Sequence, residues 1–375
     1  MADPLVTSRR DAQHPATTRA DAVDPADWAR FARSLGVVVV ALLSVSSGLI
    51  TLANPYGNLP FSAFSRHVIV DGHQRFQYPA LAHSGRFDSV LVGTSTSGIL
   101  APSSLNRAFG GHFANLAMDS ARAWEQAQIA TLFFDYATAP ATLIVGIDTV
   151  WCEPDADTNR ITERGFPDWM FDRNPWNDPL YMLNLNSLEL SARRIMHAAG
   201  LQAARISDDG FKAFLPDDAT YDADKAKAKI GTWTASDYLP VAVVNIPTGT
   251  PVFQFPAHKW LDQLLSKNWA RAALVFMPVH VVATGTNGSA LLARDTACKT
   301  QVSEIAKKHA VTVVDFRVPT ALTLRDENFW DPLHYRLPVG EQIVNNIKQA
   351  LVTGENDPGG TWQILAADPR GRKWR

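Results

Sequence analysis

The residues able to do covalent chemistry stand near opposite ends of the chain. Residues 89–97 read SVLVGTSTS, a short apolar run followed by Gly93, Thr94 and Ser95. Glycine lets a strand turn tightly, and a helix starting there aims N–H groups and its positive dipole end at the serine hydroxyl, which suits Ser95 to nucleophilic attack. The same Ser and Thr residues would also serve as plain helix caps. Residues 329–335 read FWDPLHY, with Asp331 and His334 three apart. That spacing fits one turn, the carboxylate orienting the imidazole and stabilising its charged form. A neutral imidazole, with an ordinary pKa of about 6.5, is the natural base for a serine hydroxyl. The plain alternative is a surface loop with a capping aspartate.

Together, a serine after the first strand and an Asp-x-x-His before the last helix resemble the SGNH/GDSL hydrolase superfamily over about residues 89–351. The resemblance implies an α/β fold with a flavodoxin-like parallel sheet, Ser95 as nucleophile, His334 as base and Asp331 as its orienting acid. Three blocks depart from the family pattern. Gly-Asp-Ser reads Gly93-Thr94-Ser95, similar to membrane-anchored relatives linked to envelope polysaccharide or teichoic-acid acylation. The second block reads Asn115-Leu-Ala-Met-Asp-Ser120, placing Ser120 where a glycine N–H helps hold the oxyanion; a backbone N–H survives that change. The third, Gly-x-Asn-Asp, reads Gly146-Ile147-Asp148-Thr149. An asparagine amide donates to a developing oxyanion, whereas ionised Asp148 repels it, and losing one such donor costs about 2.7–4 kcal/mol. Three readings stay open: Asp148 is protonated by burial, it binds something other than the oxyanion or caps the following loop, or ester hydrolysis is inefficient.

Other features carry less. His280 follows an apolar run and would either line a substrate cleft or sit satisfied in its loop. Trp169, Trp176 and Trp330 offer faces for sugar stacking or for packing. No phosphate loop, dinucleotide fingerprint or zinc spacing occurs, so no cofactor or metal is expected. Lys+Arg 35 against Asp+Glu 37, with no basic stripe, argues against a nucleic-acid partner. Cys152 and Cys298 are too few for a zinc cage or a disulfide framework and leave one disulfide open.

The elements that must bring residues 95 and 334 together are legible as runs. Apolar runs at 89–93, 142–147, 273–277 and 311–316, with a weaker one at 113–118, alternate with helical stretches at 121–135, 290–309 and 339–351. Strand, helix, strand at this rhythm predicts a right-handed βαβ sheet with helices on both faces. Ligands bind such sheets at the carboxyl ends of the strands. The Trp-, Pro- and Asp-rich stretch 150–269, with a helix at 188–199, is expected as an insertion over those ends.

A hydrophobic share of 46% excludes wholesale disorder. Residues 35–53, LGVVVVALLSVSSGLITLA, carry no charge and match the roughly 20 residues of a membrane span. More than thirty residues precede that run, which favours an uncleaved anchor over a signal peptide. Arg19, Arg30 and Arg33 precede it and no Lys or Arg follows until Arg66, so the N-terminus is expected in the cytoplasm and the rest outside. The expected organisation is a flexible tail (1–33), an anchor in the cytoplasmic membrane (34–53), a connector (54–86), an extracytoplasmic or periplasmic α/β domain (87–354) and a C-terminal tail (355–375). The functional expectation is an anchored serine esterase or O-acyltransferase acting on acylated cell-envelope carbohydrate, with a membrane acyl-donor protein as a further partner. The alternative is a non-catalytic carbohydrate-binding or scaffold subunit on the same fold. A phosphodiesterase-like hydrolase ranks third, for want of a metal-binding set.

Overall fold

In the computed structural model, the described residues are 24–59, 62–64, 68–172, 174, 176–233, 253–368 and 374. The chain divides into two compact units, 1–48 and 49–375. The described part of the first is helical and belongs to α1 (Pro25–Ala53). Helix α1 opens on a proline, whose missing N–H costs nothing at that position, behind Asp24, whose carboxylate accepts from the Ala26 N–H at 2.8 Å. It is the one helix among the described residues long and apolar enough to cross a membrane, with a mean hydropathy of 2.4 over its best window. Residues 25–33, expected as part of a flexible tail, are therefore helical; the expected tail at 1–23 lies outside the described residues.

The second unit is built on a mixed sheet. Its strands are β1 (Ser89–Val92), β2 (Phe113–Asn115), β3 (Thr142–Ile147), β4 (Arg271–Phe276), β5 (Thr312–Asp315) and β6 (Gln363–Ala366), in the order β2-β1-β3-β4-β5-β6. The first five run parallel, with Leu91 opposite Ile144 and Ile144 opposite Ala273. β6 runs antiparallel to β5, so the expected C-terminal tail completes the sheet edge, and Trp374 beyond it is buried against Phe109 at 5.8 Å between ring centres.

The helices after α1 are α2 (Gln74–His83), α3 (Ser95–Gly98), α4 (Pro102–Phe109), α5 (Ala123–Tyr136), α6 (Asp178–Met182), α7 (Leu185–Ala198), α8 (Ala223–Gly231), α9 (His258–Leu265), α10 (Ala290–His309) and α11 (Leu337–Thr353). Alternation along each strand divides the core. Val90, Val92, Leu143, Val145 and Phe276 face α2, α5, α9 and α10, whereas Leu91, Ile144, Ala273 and Val275 face α4 and α11. Strands buried on both faces read as unbroken apolar runs, which is why they were visible in sequence. Helix α9 falls within the stretch expected as an insertion, yet its Leu261 and Leu264 belong to the main core; of that insertion, residues 234–252 lie outside the described residues.

Two cross-links brace the sheet's α2/α5/α9/α10 face. Arg75 on α2 meets Glu125 on α5 through two parallel bonds of 2.6 and 2.9 Å, with both side chains buried. Cys152 and Cys298 form a disulfide joining the turn after β3 to α10.

Candidate active site

Ser95 is the first residue of α3, directly beyond β1. Its Oγ lies 2.8 Å from His334 Nε2, and His334 Nδ1 lies 2.9 Å from both Asp331 carboxylate oxygens. A carboxylate can only accept, so Nδ1 carries the proton and Nε2 accepts from the serine hydroxyl. Burial alone would push the Asp331 carboxyl up, but His334 and the Leu333 and His334 N–H groups outweigh it and hold it below the usual range. Such a constellation can move a proton from the hydroxyl to the imidazole as the oxygen attacks an electrophile. The three side chains are partly buried, leaving the hydroxyl reachable.

Packing fixes where Ser95 sits. Ser97, two residues on, is buried between β1 and β3; a Cβ on Gly93 or on Gly146 would lie 2.2 or 1.9 Å from its Oγ. The two glycines thus let α3 settle onto the strand ends. Asn115, at the end of β2, donates to the Leu100 carbonyl at 2.8 Å and the Gly98 carbonyl at 3.2 Å. Tyr335 is buried and donates its hydroxyl to the Thr96 carbonyl, tying α3 to the loop that carries His334. That loop is itself a small hairpin, with Phe329 bridged to Tyr335 and the Trp330 N–H donating to the His334 carbonyl at 2.8 Å.

The segment before α8 holds the same loop from outside. Phe214 packs edge-on against the His334 ring at 5.5 Å. Arg336 makes a two-pronged contact with Asp218, 2.8 Å for the Nε bond, and lies 4.0 Å over the Tyr221 ring. Tyr221 in turn meets Trp330 edge-on at 5.1 Å. Residues 214–221, within the 150–269 stretch, thus pack against the loop that carries His334.

Beside Ser95 a half-open pocket is lined by Thr94, Asp148, Arg317 and Asp295, with Val279, Leu291 and Leu333 supplying apolar walls. Asp148 caps the short 3-10 turn Thr149–Cys152, accepting from the Val150 N–H at 3.3 Å, and also accepts from the Thr94 hydroxyl. Burial raises its pKa to about 6, against the hydrogen bond from Thr94 and the charge of Arg317. Of the open readings the capping of the following turn is thus seen, while the raised pKa still leaves Asp148 mainly ionised at pH 7 and protonated only below about 6. Arg317 stands just past β5 and donates to the Ile147 carbonyl at 3.0 Å, buttressing the end of β3.

The remaining predicted residues fall elsewhere. His280 is buried with its ring 3.1 Å from Asp326 and 5.4 Å from Phe329, and its N–H donates to the Pro332 carbonyl at 2.8 Å. It supports the histidine loop and lies outside the pocket lining. Ser120 is exposed in the turn between β2 and α5 at φ 54°, the left-handed region that favours glycine. Trp169 stacks on Tyr181 at 5.6 Å, and Trp176 is exposed.

Sequence reasoning missed Arg317, Phe214 and the Arg336–Asp218 pair. An arginine two residues past an apolar strand at the ligand-binding edge was a usable signal; Phe214 and Asp218 had none, because their partners lie more than a hundred residues away. Among the described residues no group of three or more His, Cys, Asp or Glu side chains is placed to hold a metal ion. Comparison with protein-family models and with curated protein sequences returns no match.

Proposed function

We propose that this chain is a membrane-anchored serine esterase or O-acyltransferase of SGNH type, acting on acylated, principally acetylated, cell-envelope carbohydrate. The 2.8 Å contact between Ser95 Oγ and His334 Nε2, with Asp331 on the far nitrogen, carries the reading. Three observations support it. The parallel strands follow the order 2-1-3-4-5, which is that of flavodoxin-like sheets. Ser120, at the second-block glycine position, stands at φ 54°, a conformation that favours glycine. The Cys152–Cys298 disulfide suits an oxidising compartment, consistent with an extracytoplasmic unit behind an anchor whose N-terminus is cytoplasmic.

In this mechanism Ser95 Oγ bonds to the acyl carbon while its proton passes to His334 Nε2. The tetrahedral oxyanion accepts from backbone N–H groups, one of which, as the family resemblance implies, belongs to Ser120. It collapses as His334 returns the proton to the leaving oxygen, giving an acyl-serine. Water or a sugar hydroxyl, deprotonated by His334, then takes the acyl group and frees Ser95. Transfer would draw on a membrane acyl-donor protein; hydrolysis needs only water.

The test uses the full chain in detergent micelles. Ser95→Ala is expected to abolish labelling by a fluorophosphonate probe and turnover of p-nitrophenyl acetate, and His334→Ala to do the same. Labelling that persists in Ser95→Ala removes that residue from the mechanism. The buried acid Asp148 beside Ser95 favours a second reading, a carbohydrate-binding subunit without catalysis. Polymer binding that survives both substitutions, with no wild-type turnover, would support it.

A further inference from the structure

We infer that the α6–α7 hairpin of the second unit lies on a lipid bilayer as an interfacial foot, with Trp176, Leu180, Tyr181, Leu183 and Leu185 entering the headgroup region. The inference rests on reading α1 as a membrane span. Trp176, Leu180 and Leu185 are 71%, 82% and 84% exposed, and Tyr181 and Leu183 are exposed too. Five large apolar side chains within ten residues of sequence thus face solvent. A soluble surface seldom exposes so many within so short a stretch, whereas Trp and Tyr beside leucines suit the bilayer interface.

The chain's own connectivity places a bilayer there. Ile50, in the last turn of α1, shares a small core with Tyr56 and Leu59 and with Met170, Met182 and Leu190 of the hairpin region. Polar bonds lock the same pieces. The Asn54 carbonyl accepts from Arg194 at 2.9 Å, the Tyr56 and Ser187 hydroxyls meet at 3.1 Å, and Asn58 donates to buried Asp178. Asn54 turns the chain at once, at φ 46°, with the Gly57 N–H donating to its carbonyl. A residue adds at most about 3.6 Å of reach, so segments bonded to residues 50–58 stay within a few residues' length of the end of α1 at Ala53. The exposed leucines belong to those segments.

Both cysteines of the chain are in the disulfide, so an introduced cysteine can be spin-labelled selectively. The full chain would be reconstituted into phosphatidylcholine vesicles carrying a label at Leu180→Cys, Leu185→Cys, Val40→Cys in α1 or exposed Lys227→Cys in α8. Accessibility to lipid-soluble oxygen and to a water-soluble nickel reagent would then be compared. The expected result is a lipid-like ratio at 40, an interfacial one at 180 and 185, and an aqueous one at 227. A lipid-like ratio at 40 with aqueous ratios at 180 and 185 overturns the foot and leaves the anchor standing. An aqueous ratio at 40 overturns the anchor, and the foot with it. Spin–spin broadening at 180 and 185 without lipid contact assigns the patch to a second copy of the chain and also overturns the foot.

Discussion

At the scale of single residues, the site shifts two carboxyl groups in opposite directions. Asp331 is held below its usual range by the imidazole and backbone N–H groups it receives, whereas burial lifts Asp148 to about 6. A raised acid pKa means that the folded state binds more protons than the unfolded one between roughly pH 4 and 6, so stability gained from this group grows as pH falls through 6. Asp178, also raised to about 6 by burial, adds in the same direction. Asp148→Asn is expected to flatten the pH dependence of the urea midpoint in that window and Asp178→Asn to flatten what is left; unchanged slopes would refute the protonation. If the proposed acyl chemistry holds, Asp148→Asn also removes a negative charge from the pocket wall. Turnover near pH 7 is then expected to rise about tenfold or more, given the worth of one oxyanion donor.

At the scale of elements, the short helix α3 carries Ser95 and depends on what two neighbouring strands lack. A methyl on Gly146 would strike Ser97 Oγ at 1.9 Å, with the next contacts at 3.1 and 3.2 Å. Gly146→Ala is expected to cost about 1–3 kcal/mol, typical of overpacking a filled core. Adding Ser97→Ala removes the closest contact and should recover most of that loss, measured by urea unfolding of the two single variants and the double. Strictly additive losses would mean that the clash is relieved some other way, since contacting residues normally couple.

At the scale of the molecule, one covalent link joins distant parts of the second unit. Cys152 and Cys298 are separated by 146 residues and connect the turn that carries Asp148 to α10. A loop that long restricts the unfolded chain by on the order of 5 kcal/mol in the chain-entropy account. Replacing both cysteines with serine is expected to lower the Tm by many degrees, and so is a reducing agent applied to the wild type. A Tm indifferent to both would show that the packed sheet needs no staple.

The parallel strands and their order along the chain were legible because strands covered on both faces need continuous apolar runs, as in 142–147 and 311–316. Helix α10 coincides to the residue with the helical stretch read at 290–309, and in the structure Ser289 caps its start and β5 follows it. Ser95, His334 and Asp331 stood out for a local reason as well: each lies at a strand or helix boundary, and Asp331 and His334 are three apart. β6 and the helical reach of α1 back to Pro25 were not read, since an edge strand needs no full apolar run and the first turns of α1 carry charges. That Ser95 and His334 meet at 2.8 Å, that Phe214 and Asp218 brace the histidine loop, and that burial lifts Asp148 are facts of tertiary structure. Local patterns report what a residue does to its neighbours in sequence. Distances across 239 residues, and the loss of water around a carboxylate, are settled only when the sheet closes its layers.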